Sequence, residues 1–244
     1  MNTDNMTISG ETIDYGPCAF VDRYVPSTVF SSIDEHGRYA YENQPKIGQW
    51  NLAQLAKSLI PLYQEDHEVV IQRFVDELDK FNHIYESCWL ENMRAKLGLI
   101  GESESDLELV NDLLTLMHQG AADFTLTFRY LADVRLESSL KFKSQFNESV
   151  NVNDWLSRWR KRVVADGQSE HQCVLNMNAI NPLYIPRNHK IEEALEAAAN
   201  DNDYEPFRAM LNVVSEPYCL RSGFDKYAEP PPPNAAPYIT FCGT

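Results

Sequence analysis

No stretch of this sequence approaches the roughly 20 consecutive apolar residues that a membrane-spanning helix needs, so no membrane partner is expected. Positive charge is scarce too: 21 Lys+Arg stand against 36 Asp+Glu, a formal net charge of −15. A surface of that sign repels phosphate backbones at long range, which disfavours a nucleic-acid partner but leaves room for a local anion site. Cysteine is sparse, at positions 18, 88, 173, 219 and 242, with no CxxC pair. The six histidines show no HxxxH spacing. Together these argue against a zinc site and a full disulfide framework, and a reducing compartment is expected. Met1 to Gly10 carry no basic-then-apolar pattern of a secretory leader. No internal repeat is present.

What is present suits an ordinary packed core: 43% hydrophobic and 23% charged residues over 244 positions. Residues 1–46 hold two polar, glycine-bearing stretches, MNTDNMTISGETIDYGP and SSIDEHGRYAYENQP, which read as loops and short strands. Ile8, Thr12 and Ile13 around Gly10 predict a small β-hairpin before Asp14.

From 47 to 222 the period turns helical. Leu52, Leu55, Ala56, Leu59 and Ile60 mark one face, and Val70 to Trp89 one long helix ending near Gly98. Ser103 and Asp106 resemble a capping box. Phe124, Phe128 and Leu131 mark a further stripe, Trp155, Trp159 and Val163 another capped by Asn153, and Ile191 to Ala198 and Phe207 to Val214 the last two. Residues 223–244 form a tail whose run Pro230 to Pro233 should be extended. The expected class is mainly α, with an irregular head and an extended tail.

The first seventeen residues carry the chemistry. Asp4 and Asn5 are adjacent, and Asp14-Tyr15-Gly16 begins nine positions after Asn5. Phosphoryl or nucleotidyl transfer needs an acceptor for the nucleophile's proton and hard oxygen ligands for Mg²⁺, which protein kinases take from one Asp, one Asn and the Asp of a DFG triplet. Asp4 suits the first role, and Asn5 with Asp14 the second. Spacing alone leaves a second reading open, since Asp, Asn and Gly also build ordinary capped turns.

The longer motifs bear on that choice. MNTDNMTISGETIDYGPCAFVD is similar to the active-site segment of the selenoprotein O family, with a pattern near MNTDNMSI, TIDYGPF and FLD. The resemblance continues in order through WNLAQLAKSL, MRAKLGL, DFTLTFRYL, WLSRWRKR, NPLYIPRN and GFDKYAEPPP. It implies the C-terminal lobe of a protein-kinase-like fold that transfers AMP from ATP to Ser, Thr or Tyr hydroxyls of proteins, with ATP reversed so that attack falls on the α-phosphate. It further implies Asp4 as catalytic proton acceptor, Asn5 and Asp14 as ligands of Mg²⁺ or Mn²⁺, and Asp14 beside the nucleotide.

Two departures qualify the match. Kinases place several residues between the Asp and the Asn, which here are neighbours. The family also carries a glycine-rich loop, a phosphate-contacting Lys and a helix Glu ahead of this segment, and only three residues precede Asp4. The missing N-terminal lobe is therefore an implied partner, and the chain alone is expected to bind ATP poorly and be nearly inactive. Ordinary kinase-type phosphotransfer and a non-catalytic helical binding module are the alternatives. Bacterial members imply a cytoplasmic location and eukaryotic ones a mitochondrial one; the cytoplasm is favoured.

By the same resemblance Cys242 takes the place of the family's terminal selenocysteine or cysteine, which implies a redox role. In some relatives the partner follows the DYG-like triplet, where this chain has only Cys18. A bridge between the two and an exposed, unpaired Cys242 both remain open. Cys88, Cys173 and Cys219 are expected as buried small hydrophobes. Arg158, Arg160, Lys161 and Arg162 suit either phosphate or substrate contact or a solvated helix face. Arg129 is expected to pair with a carboxylate, and Trp50, Trp89, Trp155 and Trp159 to pack in the core.

Overall fold

The computed structural model describes residues 3–11, 18–136, 138–232, 235, 238 and 240. Its contacts fall into two compact units. One comprises Met1–Cys18, Pro26–Trp89 and Ile239–Thr244, and the other Ala19–Val25 and Leu90–Tyr238. The chain is mainly helical, as expected, and among the described residues the only β pairing is two isolated bridges, Arg23 with Asp123 and Ser31 with Thr240.

In the first unit α1 (Gln44–Leu59) starts with Pro45 in its first turn, where the missing N–H costs nothing. It buries Ile47, Gly48, Asn51 and Ala56, so the buried face is rotated from the predicted leucine stripe; Leu55 is exposed. The predicted long helix is two: α2 (His67–Leu78) and α3 (Lys80–Lys96). Asp66 caps α2, its Oδ1 accepting from the Glu68 N–H at 2.9 Å. The break falls at Asp79, a weak helix former, whose N–H still reaches the Val75 carbonyl. Thr12 and Ile13 of the predicted hairpin lie outside the described residues; Ile8 sits in a bend.

The second unit takes in the end of α3 and then α4 (Asp106–Gln119), α5 (Phe124–Leu131), α6 (Leu140–Lys143), α7 (Asn153–Ala165), α8 (Glu170–Ile180), α9 (Asn188–Asp201) and α10 (Glu205–Val214). The α7 stripe of Trp155, Leu156, Trp159 and Val163 is buried. Trp155 and Trp159 stack at 6.2 Å, and their indole N–H groups donate to the carbonyls of Leu109 (2.8 Å) and Leu97 (2.9 Å). A buried tryptophan needs such an acceptor for its one donor. A second cluster gathers Leu126, Leu183, Tyr184, Met210, Val213, Tyr227 and Ala228.

Caps differ in detail from expectation. Asn153 is the first residue of α7 rather than its cap; Asn151 Oδ1 accepts the Asn153 N–H at 3.0 Å. Only half of the Ser103–Asp106 box forms, with the Ser103 N–H donating to Asp106 Oδ2 at 2.9 Å. Among the described residues no helix is long and apolar enough to cross a membrane.

Candidate active site

Asp4 and Asn5 lie in a single 3₁₀ turn, Thr3–Asn5, and both are exposed. Their neighbour Met6 ties the turn to α1, its Sδ lying 3.6 Å from Nδ2 of the buried Asn51. The loop beyond is braced locally, with Thr7 Oγ1 donating to the Glu11 carbonyl at 3.0 Å. One exposed surface turn thus carries both a carboxylate and an amide. These are donors of the kind that a hard divalent cation accepts. Asp14 and Cys242 lie outside the described residues, so the convergence of Asp14 with the pair is not described. Cys18 is exposed.

The basic cluster on α7 divides in two. Arg158 donates to Asp112 at 2.5 Å from a half-exposed position, while Arg160 and Lys161 are exposed. Arg162 is not on a solvated face: it binds Asp106 (2.7 Å), Asp166 (2.5 Å) and the Gly101 carbonyl (2.7 Å). Burial opposes the charge of Asp106, but Arg162, the Ser103 N–H and Arg94 outweigh it and hold that carboxyl below its usual range. Arg129 donates to the carbonyls of Asn178 (3.2 Å) and Asn181 (3.1 Å), and the Asp133 carboxylate is the foremost charge that supports it against burial. Trp50 is exposed beneath the Arg38 guanidinium, 4.8 Å from its ring. Cys88 and Cys219 are exposed, and only Cys173 of the three is buried.

One constellation escaped the sequence reading. Arg187, wholly buried, donates through Nη1 to Asp22 (2.6 Å) and Asp123 (2.5 Å), and through Nη2 to Asp123 and the Ala228 carbonyl (both 3.1 Å). Asn188 clasps Phe20, accepting its N–H at 2.9 Å and donating to its carbonyl at 2.8 Å. Asp22 and Phe20 lie more than 160 residues from Arg187 and Asn188, and the only signal was an arginine beside the apolar run PLYIP. The second unit also holds a cleft of about 900 Å³, lined by Arg23, Arg129, Lys141, His189 and Asp133 among others. Burial, then the charge of Lys190, pushes the His189 imidazole pKa down.

The described residues thus form a mainly helical protein with an exposed Asp-Asn turn near its start. The sequence model of the family described as protein adenylyltransferase SelO matches residues 1–215, and the chain belongs to that family. It is 50% identical over its whole length to a protein nucleotidyltransferase YdiU of Rhizobium etli and 50% to that of Geobacillus kaustophilus. The YdiU protein of Halalkalibacterium halodurans is 49% identical. In each case the match covers 49% of the relative, so the chain spans about half the length of the curated relatives it matches.

Proposed function

We propose that this chain supplies the catalytic loop and helical lobe of a protein adenylyltransferase with a kinase-like fold, which moves AMP from ATP to protein hydroxyls. Because the chain spans about half of its relatives, the activity is assigned to the protein in which both halves are present. The observation that carries the reading is the exposed Asp4–Asn5 turn, held on α1 through Met6 and lying within the family match.

In this reading the attacking hydroxyl oxygen bonds to the α-phosphorus, the bond from that phosphorus to the bridging oxygen breaks, and pyrophosphate leaves. Asp4 takes the hydroxyl proton. Asn5 and Asp14 would hold Mg²⁺ or Mn²⁺, which when bound neutralises phosphate charge. The contribution of the chain's own residues is mainly to place the nucleophile and fix charge. A proton acceptor of this kind contributes about 10²–10⁴ in rate.

Incubating the two-half protein with ATP labelled at the α or at the γ position tests this. Label retained from the α position only is expected. Label retained from the γ position only would replace adenylyl transfer by phosphotransfer, and no retained label in either case would favour a helical binding module.

A further inference from the structure

Four motifs of the sequence meet, within the second unit, around a pocket of about 240 Å³. Phe20 and Val21 come from the FVD end of the first motif and Lys96 from MRAKLGL. Phe124 comes from DFTLTFRYL, and Pro182 and Ile185 from NPLYIPRN. The backbone behind these walls is held. The Asn188 amide takes both main-chain groups of Phe20, at 2.9 and 2.8 Å, and the Phe124 N–H donates to the Asp22 carbonyl at 2.7 Å. The walls are mostly apolar, and among the described residues Lys96 is the one charged side chain that lines them.

Lys96 closes α3 and is half-buried. Its Nζ donates to Asn181 Oδ1 at 3.3 Å and lies 5.1 Å from the centre of the Phe128 ring and 5.9 Å from that of Phe124. A helix C-terminus, an amide oxygen and ring faces offer only partial negative charge. Among the described residues no carboxylate pairs with this ammonium, and burial pushes its pKa below the ordinary lysine value. By contrast, the buried guanidiniums of Arg162 and Arg187 in the same unit each meet a carboxylate. An ammonium withdrawn from water without a full counter-charge costs free energy, which an incoming anion would recover.

We propose that this pocket binds a small organic monoanion, a carboxylate on a short apolar body, with Lys96 as its counter-ion. Its volume falls below the roughly 300–1,000 Å³ of sites for drug-sized ligands, so the body is limited to about one ring or a short branched chain. One ammonium matches one negative charge. A phosphate dianion would bring a second charge against Phe20, Phe124, Pro182 and Ile185, where nothing compensates it. Occupancy of the pocket is independent of adenylyl transfer.

Hydrocinnamate is the probe, titrated into the 244-residue chain by ligand-observed NMR, with hydrocinnamamide and inorganic phosphate run alongside. The carboxylate is expected to bind at least about 10-fold more tightly than its uncharged amide, as one charge-assisted hydrogen bond gives. Saturating carboxylate should also raise the pKa of Lys96, followed through its ε-carbon resonance, because a neighbouring anion favours the charged form. Lys96→Met keeps the apolar stem and removes the charge. It should lose the preference for the acid while the melting temperature falls by no more than about 4 °C. Should that variant not fold, Ile185→Trp, which fills the pocket and keeps Lys96, should abolish binding instead. An N-acetylated dipeptide ending in phenylalanine tells a protein C-terminus from a free acid as the source, tighter binding of either supporting the class. No binding, equal binding of acid and amide, phosphate binding as tight as the carboxylate, or a preference that survives in Lys96→Met would each overturn the proposal.

Discussion

Arg162 and Asp106 meet across 56 residues of sequence, Nε donating to Oδ1 at 2.7 Å, and the Asp106 side chain is fully buried. The same carboxylate accepts Arg94 Nε at 2.8 Å. Asp106→Asn keeps the shape but leaves two arginines short of their counter-charge. Breaking a buried pair in this way costs about 3–5 kcal/mol. Urea unfolding of the variant should show a midpoint lowered accordingly, with the m-value unchanged.

The same network sets an acid limit. Arg162 outweighs burial at Asp166 as it does at Asp106, so both carboxyls titrate below their unfolded values. The unfolded chain therefore takes up these protons first as pH falls. The stabilisation is complete above an unfolded pKa of about 4 and is lost as pH drops through the folded values. Melting temperature followed downward from pH 6 should fall below about pH 4. Asp106→Asn should flatten that slope.

Gly98, just past the end of α3, has φ +74°, and a Cβ there would meet Met177 at 2.8 Å and Cys173 at 2.9 Å. Gly98→Ala combines left-handed backbone strain with overpacking of a buried contact, about 2–4 kcal/mol in all. Gly223 has φ +84° with open space around it, so Gly223→Ala isolates the backbone part, about 1 kcal/mol. Chemical denaturation of the pair should separate the two costs. Equal losses would mean that Met177 moves aside freely.

Local periodicity revealed the helices but not their ends or their charged contacts. The Trp155–Trp159 stripe was legible because two large apolar residues at helical spacing have few other uses. The break at Asp79 was not, since Phe74, Leu78 and Phe81 keep the period across it. Asp106 was legible as a cap, but its two arginine partners are set by how α3 and α7 pack, which no spacing records. In the candidate site the adjacency of Asp4 and Asn5 is in the sequence itself. The Arg187–Asp22 pair is separated by 165 residues and exists only in the fold.

Thiol chemistry offers an independent check on burial. Cys173 is enclosed beside Met177 and the Gly98 carbonyl, and burial raises its pKa, which leaves little thiolate at neutral pH. Cys18 and Cys219 are exposed. Timed alkylation with peptide mapping should modify Cys18 and Cys219 in the native chain, and Cys173 only after unfolding. Early labelling of Cys173 would contradict its packing.

Asp4 offers the sharpest separation of activity from stability. Its side chain is exposed in a one-turn 3₁₀ segment that contributes no buried residue, so Asp4→Asn should shift unfolding free energy by no more than about 0.5 kcal/mol. In the two-half protein the same change removes the proton acceptor and should lower kcat by about 10²–10⁴. The amide keeps the volume and a carbonyl oxygen, so KM for ATP should move far less than kcat. A variant with kcat near the unaltered value would take Asp4 out of the chemistry. One that loses kcat and stability together would mark the turn as structural.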